Sequence, residues 1–229
     1  MKGSHSESGL GCDELVVRFG ATTALHRVTL RVGGGEMIAV TGPSGSGKST
    51  LLRCLAGLQR PDAGAVWFQG RDLVTLTDAQ RAEVRRRSFG FVFQFSELLP
   101  ELTLAENVGL PLELNHVRST TRRNRVEELA ERLDIADLMA RRPGEVSGGQ
   151  AQRAAVARAL AHRPSVVFAD EPTGALDSVN GSLVLTALSA LARDEGASVL
   201  LVTHEDRRAQ VADRQVMVVD GRLHPVACA

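Results

Sequence analysis

The sequence lacks several features that would point to other classes of protein. It contains no tyrosine, its only lysines are Lys2 and Lys48, and no run of apolar residues approaches the roughly 18 that cross a bilayer. Lysine and arginine number 27 against 27 aspartate and glutamate, so no overall basic field draws the chain to nucleic acid or to an anionic membrane. The composition therefore predicts neither a membrane-spanning chain nor a nucleic-acid partner.

Cysteine is also scarce. Cys12, Cys54 and Cys228 are an odd number without metal-ligand spacing, which is typical of reduced thiols in a cytoplasmic protein. Residues 1–13 are polar and glycine-rich and do not resemble a signal peptide, so they predict a flexible tail and a chain that is not exported. Residues 14–229 contain enough apolar side chains for a single domain with a sizeable core.

The strongest pattern is a glycine-rich segment that reads Gly42, Pro43, Ser44, Gly45, Ser46, Gly47, Lys48 and Ser49. A glycine, four free positions, glycine, lysine and serine form the pattern of a phosphate-binding loop. The glycines allow a tight turn whose N–H groups point inward, and the following helix adds its positive N-terminal end. Lys48 would contact the β- and γ-phosphates, the Ser49 hydroxyl would ligate Mg²⁺, and Thr50 completes this nucleotide-binding set. The alternative is a glycine-rich turn with a purely structural role.

Around this loop the sequence predicts alternating strands and helices. Alternating or apolar runs predict strands at 14–19, 25–32, 37–41, 65–68, 72–74, 89–93, 166–169 and 198–202. Helical periodicity and capping residues predict helices at 48–56, 78–87, 122–133, 148–161 and 182–193, a broken helix at 100–114, and a short helix after His204. A hairpin across Asp220-Gly221 closes the chain. Ser147 falls at the N-cap of an alanine-rich helix, which predicts a second anion site.

Taken together, these residues resemble the nucleotide-binding subunit of an ATP-binding-cassette transporter over nearly the whole chain. Residues 146–150 resemble its signature motif, with Val146 in place of the usual leucine. Residues 170–177 resemble the end of the Walker B strand and the D-loop, Gln94 resembles the Q-loop glutamine, and His204 resembles the switch histidine. The resemblance implies an α/β fold: a P-loop NTPase with a RecA-like core, an N-terminal antiparallel β subdomain, and an α-helical subdomain inserted at about residues 95–160.

The resemblance also implies a role for each residue, with ATP and Mg²⁺ as cofactors. Ser49, Gln94 and Asp170 would hold the metal, and Glu171 would act as general base on the attacking water. Lys48 and His204 would stabilise charge on the γ-phosphoryl oxygens, although a lone histidine after a strand is more often structural. The nucleotide-binding set further includes Phe19, Ser147, Gly148, Gly149, Gln150 and Asp177.

Phe19 stands where related chains usually place a tyrosine or another aromatic residue that stacks on adenine. A phenyl face can still stack on a base. The alternative is that Phe19 packs into the core, since it also fits an inward position of its strand.

The resemblance implies a head-to-tail dimer in which Ser147, Gly148 and Gly149 of one subunit cap the γ-phosphate held by Lys48 of the other. The second subunit, joined on ATP, would be an identical copy or, as the alternative, a homologue. Residues 91–108 resemble the branch that holds macrolide and peptide efflux, lipoprotein release and the cell-division ATPase. This implies an integral membrane permease as partner, and a cytoplasmic protein peripheral to the inner face of the cell membrane.

Two other functions stay open at this point. One is an ATPase that gates a membrane signalling or cell-wall enzyme complex without moving a solute. The other is an ATPase of the same superfamily acting on nucleic acid or in translation. The roughly hundred residues between Lys48 and Ser147 leave room only for a helical insertion, which disfavours the second.

Overall fold

The computed structural model describes residues 9–204 and 209–226. Its strands are β1 (Gly9–Phe19), β2 (Thr22–Gly33), β3 (Met37–Thr41), β4 (Ala63–Phe68), β5 (Arg71–Asp72), β6 (Phe89–Phe93), β7 (Val166–Asp170), β8 (Ser198–Val202), β9 (Arg214–Val219) and β10 (Arg222–Pro225). Its α-helices are α1 (Lys48–Leu55), α2 (Asp78–Ser88), α3 (Leu104–Leu114), α4 (Ser119–Arg132), α5 (Gly148–Leu160) and α6 (Ser178–Asp194). The chain divides into two compact units, the first ending at Arg85 and resuming at Ser198, the second being Arg86–Ala197.

The first unit contains an antiparallel sheet in the order β2-β1-β4-β5. β1 begins at Gly9, inside the predicted tail, so that prediction was wrong for residues 9–13. Leu10 pairs with Val32 on one side and with Phe68 on the other, and the side chain of Cys12 is fully buried. Pairing with β2 and β4 orders residues 9–13, although their polar, glycine-rich composition predicted a flexible segment. Residues 1–8 lie outside the described part of the chain.

The first unit also contains strands in the order β10-β9-β3-β8. All five residues of β3 are buried, as expected for a strand with parallel neighbours on both sides. Val40 of β3 lies opposite Val202 of β8 and Val216 of β9. The predicted strands 37–41 and 198–202 and the hairpin across Asp220-Gly221 are confirmed. The short helix predicted after His204 falls mainly on residues 205–208, outside the described residues.

In the second unit, β6 and β7 pair in parallel, and the alanine-rich helix α5 packs closely against β6. A Cβ on Gly90 would lie only 2.3 Å from the carbonyl oxygen of Ala159, so this approach needs glycine. Within the described ranges, no helix combines the length and apolar character needed to cross a bilayer.

Three helix predictions needed correction. α4 begins at Ser119 and not at 122. α3 is not broken at Pro111: it runs through to Leu114, because the proline lies in its last turn and a capping box of Thr103 and Glu106 secures its start. α6 begins at Ser178 and not at 182, because the Asp177 carboxylate accepts hydrogen bonds from the first N–H groups of the helix.

Candidate active site

The phosphate loop predicted from sequence connects β3 to α1 in the first unit. Gly42, Gly45 and Gly47 have φ values of 135°, 76° and 108°, a region that favours glycine. A Cβ on Gly42 would lie 2.1 Å from the carbonyl oxygen of Val218, and one on Gly47 would lie 2.6 Å from that of Ala24. The loop therefore needs glycine at these two positions for both its backbone angles and its close packing.

The residues of this loop fit a bound phosphate. The N-cap of α1 is Gly47, which supplies no side-chain acceptor, whereas α3, α5 and α6 are all capped by side chains. A phosphate oxygen can take the place of the missing acceptor at a helix N-terminus. Among the described residues, the buried hydroxyl of Ser46 also has no hydrogen-bond partner. Ser49 and Thr50 lie in the first turn of α1.

Lys48 is 6% exposed, and its ammonium group stays within the loop. Its Nζ donates hydrogen bonds to the carbonyl oxygens of Gly42 at 2.9 Å and Pro43 at 2.8 Å. These bonds hold the only positive side-chain charge of the loop beside the uncapped end of α1. A phosphate bound there would meet the ammonium without large rearrangement of the side chain.

His204 follows β8 directly, at the edge of the sheet where β3 ends. The backbone N–H of Thr203 donates to the carbonyl oxygen of Val40 at 3.2 Å, so the residue after it lies near the start of the phosphate loop. The parallel pairing of β3 with β8 is the cause, since it brings the carboxyl ends of both strands to one edge.

Phe19 lies at the end of β1, opposite Thr22 of β2, and is 55% exposed. The alternative that it packs into the core is therefore wrong. Its ring is open to a flat ligand face, and the stacking role stays a prediction.

In the second unit, the parallel pairing of β6 and β7 sets Phe93 opposite Asp170. Gln94 and Glu171 are the next residues, so the two strands bring the predicted glutamine and both predicted carboxylates to one edge. Glu171 has a φ of 49°, a left-handed conformation that is uncommon outside glycine. Its carbonyl oxygen accepts a hydrogen bond from the N–H of Gly174 at 3.0 Å, which fixes the turn after β7.

Gly174 lies within residues 170–177, and no role of its own was predicted for it. In the structure it lies against the Gln94 side chain. A Cβ at this position would lie 2.9 Å from Nε2 of Gln94. The glycine thus makes room for the glutamine side chain beside the turn that follows Glu171.

The signature residues and Asp177 lie at the starts of α5 and α6. The Ser147 hydroxyl accepts from the Gln150 N–H at 3.3 Å, and Oε1 of Gln150 accepts from the Ser147 N–H at 2.9 Å, so the predicted N-cap is confirmed as a full capping box. A Cβ on Gly149 would lie 3.2 Å from the Asn180 side chain, which places the start of α5 against α6. Hydrogen bonds from the side chain and backbone of Asn180 lower the pKa of Asp177, so this cap is ionised at neutral pH.

Two further residues of α5 were missed by the sequence analysis. Gln152, 2% exposed, donates from Nε2 to the carbonyl oxygen of Phe93 at 2.7 Å. Arg158 donates to the carbonyl oxygens of Ser96 and Glu97 at 2.9 and 2.6 Å. Their only sequence signal was a polar side chain recurring in an alanine-rich helix.

The fold and the loop define a nucleotide-binding protein of the P-loop type, and comparison with known proteins agrees. Residues 25–174 match the family described as "ABC transporter", which is more than half of the chain. The chain belongs to this family. It is 42% identical over 204 residues to the lipoprotein-releasing system ATP-binding protein LolD of Hyphomonas neptunium, covering 89% of this chain and 90% of that protein. It is also 42% identical over 203 residues to the uncharacterized ABC transporter ATP-binding protein YknY of Bacillus subtilis, covering 89% and 88%.

Two solved structures of the cassette MJ0796 show the same fold. One is a dimeric post-hydrolysis state bound to ADP and Pi, with a TM-score of 0.86, and the other is a dimeric bacterial ABC transporter cassette, with a TM-score of 0.87. Both are 34% identical to this chain and cover 96% of it and 100% of their own chains. The predicted fold class is confirmed. The chain is an ATP-hydrolysing ABC subunit that uses ATP and Mg²⁺, and a gating ATPase without transport is not favoured.

Proposed function

We propose that this chain powers export as the ATPase subunit of a transporter in the lipoprotein-release and efflux branch. The 42% identity to LolD over nine-tenths of that protein supports this branch. An integral membrane permease would hold the subunit at the cytoplasmic face of the membrane.

The proposed chemistry assigns one task to each polar residue. When bound, MgATP supplies the γ-phosphoryl group that is transferred to water. Lys48 binds phosphate oxygens, and the Ser49 hydroxyl, Gln94 and Asp170 (through water) hold the metal. The Glu171 carboxylate takes the proton of the attacking water, and His204 stabilises the charge that develops on phosphoryl oxygen.

The observation that carries this assignment is the pairing of Phe93 with Asp170. It supports separate roles for two adjacent carboxylates and one glutamine at the carboxyl ends of two paired strands. Asp170 belongs to the last position of β7, whereas Glu171 follows it in a left-handed turn and projects from a different backbone geometry.

The proposal includes a dimer of two copies in which Ser147, Gly148 and Gly149 of one copy close over the γ-phosphate bound by the other. Ser147, Gly148 and Gly149 are not buried. Ser147 is the N-cap of α5, and the two glycines are the first residues of that helix. Both MJ0796 structures are dimeric, which supports this arrangement by analogy.

Changing Glu171 to glutamine tests the base and the dimer together. The amide keeps size and shape but cannot accept the proton, so we expect ATP hydrolysis to fall by about 10²–10⁴-fold. ATP binding and closure depend on charge and hydrogen bonds that remain, so a dimer should accumulate with ATP and Mg²⁺. Size-exclusion chromatography and a phosphate-release assay measure the two effects separately.

The matched control combines Glu171→Gln with Ser147→Asp. Aspartate keeps an N-cap oxygen for α5 but adds a negative charge where the γ-phosphate of the other copy would lie. The double variant should fold and bind ATP as a monomer. Wild-type hydrolysis in Glu171→Gln would remove Glu171 from the mechanism, and an ATP-dependent dimer in the double variant would contradict the signature contact.

A further inference from the structure

Gln152 is a buried amide in α5, where the other buried side chains are alanine, valine and leucine. It is 2% exposed. Taking an amide out of water is unfavourable unless a hydrogen bond replaces the lost water. Gln152 obtains that bond from the carbonyl oxygen of Phe93, the last residue of β6, which accepts from Nε2 at 2.7 Å. The place of this acceptor therefore indicates what the buried amide does.

The acceptor belongs to the peptide unit that connects Phe93 to Gln94. Because a peptide is planar, the carbonyl group of Phe93 and the backbone nitrogen of Gln94 move as one body. The same oxygen accepts a hydrogen bond at 3.3 Å from the N–H of Ser96, which closes a turn with Gln94 as its first central residue. Gln152 therefore holds the turn that contains Gln94 against α5.

The side chain of Gln94 is confined by the turn that follows Glu171. A Cβ on Gly174 would lie 2.9 Å from Nε2 of Gln94 and 3.3 Å from its Cγ, so the Gly174 backbone passes directly along this side chain. Gly174 is itself held by the bond from its N–H to the carbonyl oxygen of Glu171, at 3.0 Å. A shift of the Gln94 backbone would therefore displace its amide, since the side chain lies against a fixed turn.

We infer that Gln152 is a positioning residue for Gln94 and acts through the Phe93 carbonyl. The inference rests on the proposed role of Gln94 at Mg²⁺. A residue that holds a metal ligand in place commonly changes metal affinity or activity by about 10- to 100-fold, although it does not bind the metal itself. Loss of the Gln152 bond should therefore weaken the contribution of Mg²⁺ to nucleotide binding and spare the contacts of Lys48 and Phe19 with ATP.

Gln152→Met removes the donor and keeps the packing. Methionine has nearly the same length and volume as glutamine but no N–H group. The Phe93 oxygen keeps its bond from the Ser96 N–H, so it is not left unpaired and the variant should fold. Gln152→Asn is a second variant expected to act in the same way, because its amide is one methylene too short to reach this oxygen.

The measurement is the factor by which Mg²⁺ raises ATP affinity. Isothermal titration with ATP in Mg²⁺ and in EDTA gives this factor, in the full-length Glu171→Gln, Ser147→Asp protein so that neither hydrolysis nor dimer closure contributes. The factor should fall about tenfold in Gln152→Met. The affinity in EDTA should change less than about twofold, because the phosphate loop and Phe19 are untouched.

A double-mutant cycle shows whether Gln152 acts through Gln94. Gln94→Met removes the ligand itself and should lower the Mg²⁺ factor at least as much as Gln152→Met does. Gln152→Met should then cause no further fall in the Gln94→Met protein, because two residues that act through one contact are not additive. A residue with a merely structural role would lower the factor again.

Arg153→Gln is the matched control at the next residue of α5, since its guanidinium lies 3.8 Å from the exposed carboxylate of Asp134. It should leave the Mg²⁺ factor unchanged. An unchanged factor in Gln152→Met beside a reduced one in Gln94→Met, a further fall in the doubly changed protein, or an equal fall in Arg153→Gln would overturn the positioning role alone. An unchanged factor in Gln94→Met would overturn both this role and the proposed place of Gln94 at the metal.

Discussion

At the scale of single residues, Phe19 offers a clean separation of binding from stability. Its ring is 55% exposed, so Phe19→Ala should leave the free energy of unfolding nearly unchanged. Loss of stacking should weaken ATP binding by about 1–2 kcal/mol while turnover at saturating ATP stays close to wild type. Isothermal titration with ATP and a urea unfolding curve measure the two quantities.

Phe95→Ala is the control for this change. Phe95 is 74% exposed and belongs to the segment after β6, so this change removes the same exposed side chain at a different place. An ATP affinity that is unchanged in Phe19→Ala, or reduced equally in Phe95→Ala, would contradict stacking at Phe19.

Lys48 is the second residue whose role can be isolated. Lys48→Ala should abolish ATP binding or hydrolysis, because no other side chain of the loop carries positive charge for the phosphates. The fold should persist, since the hydrogen bonds that are lost involve only the loop carbonyls of Gly42 and Pro43. Nucleotide titration and circular dichroism test this. Lys2→Ala removes the only other lysine and should bind ATP as the unchanged protein does, while an unfolded Lys48→Ala would show a structural role for the lysine.

At the scale of elements, α5 joins the signature residues to the segment after β6. Arg158 donates to the carbonyl oxygens of Ser96 and Glu97, whose φ values of 58° and 47° are left-handed. Burial lowers the pKa of Arg158 from its usual value. The two carbonyl oxygens compensate by accepting hydrogen bonds from the buried guanidinium. The helix that Ser147 caps, α5, therefore restrains the segment 95–99 through Arg158.

Arg158→Gln should loosen this segment without unfolding α5. Hydrogen bonds to a charged donor stabilise by roughly 1.5–3 kcal/mol, so amide exchange in residues 95–99 should speed up by about tenfold or more. Hydrogen exchange with mass spectrometry measures it. Arg153→Gln is the control on the same helix, since its guanidinium lies 3.8 Å from the exposed carboxylate of Asp134. Equal exchange in both variants would show that Arg158 does not restrain the segment.

At the scale of the whole molecule, buried thiols link stability to pH. Cys12 and Cys54 are free and buried, and burial raises the pKa of each thiol from 9.0 to about 12. Reduced thiols stay a prediction for all three cysteines, and Cys228 lies outside the described residues. Below pH 9 both thiols are protonated in the folded and the unfolded chain, so they leave stability unchanged with pH.

Between pH 9 and about 12 the unfolded chain releases these protons and the folded chain keeps them. Stability should therefore fall as the pH rises through this window. Urea unfolding at pH 8, 9.5 and 10.5 would show the decline, and the Cys12→Ala, Cys54→Ala double variant should decline less steeply. Identical pH dependence of the two proteins would mean that the thiols ionise in the folded state as they do when unfolded.

The sequence by itself determined the features whose cause is local. The phosphate loop, the buried run at 37–41, and the N-cap at Ser147 each depend on residues within one turn or strand. Because these interactions need only neighbouring residues, the pattern of types and spacings was sufficient. The order of the motifs then indicated the family.

Only the tertiary structure decided the features that join distant residues. β1 begins at Gly9 because it pairs with residues of β2 and β4 far along the chain. Phe19 is exposed, Gly174 meets Gln94, and Arg158 meets Ser96 for the same reason. Burial and long-range pairing arise from how strands and helices pack. The local sequence does not specify which distant residue will lie opposite a given one. The bond from Gln152 to the Phe93 carbonyl likewise exists only in the folded chain.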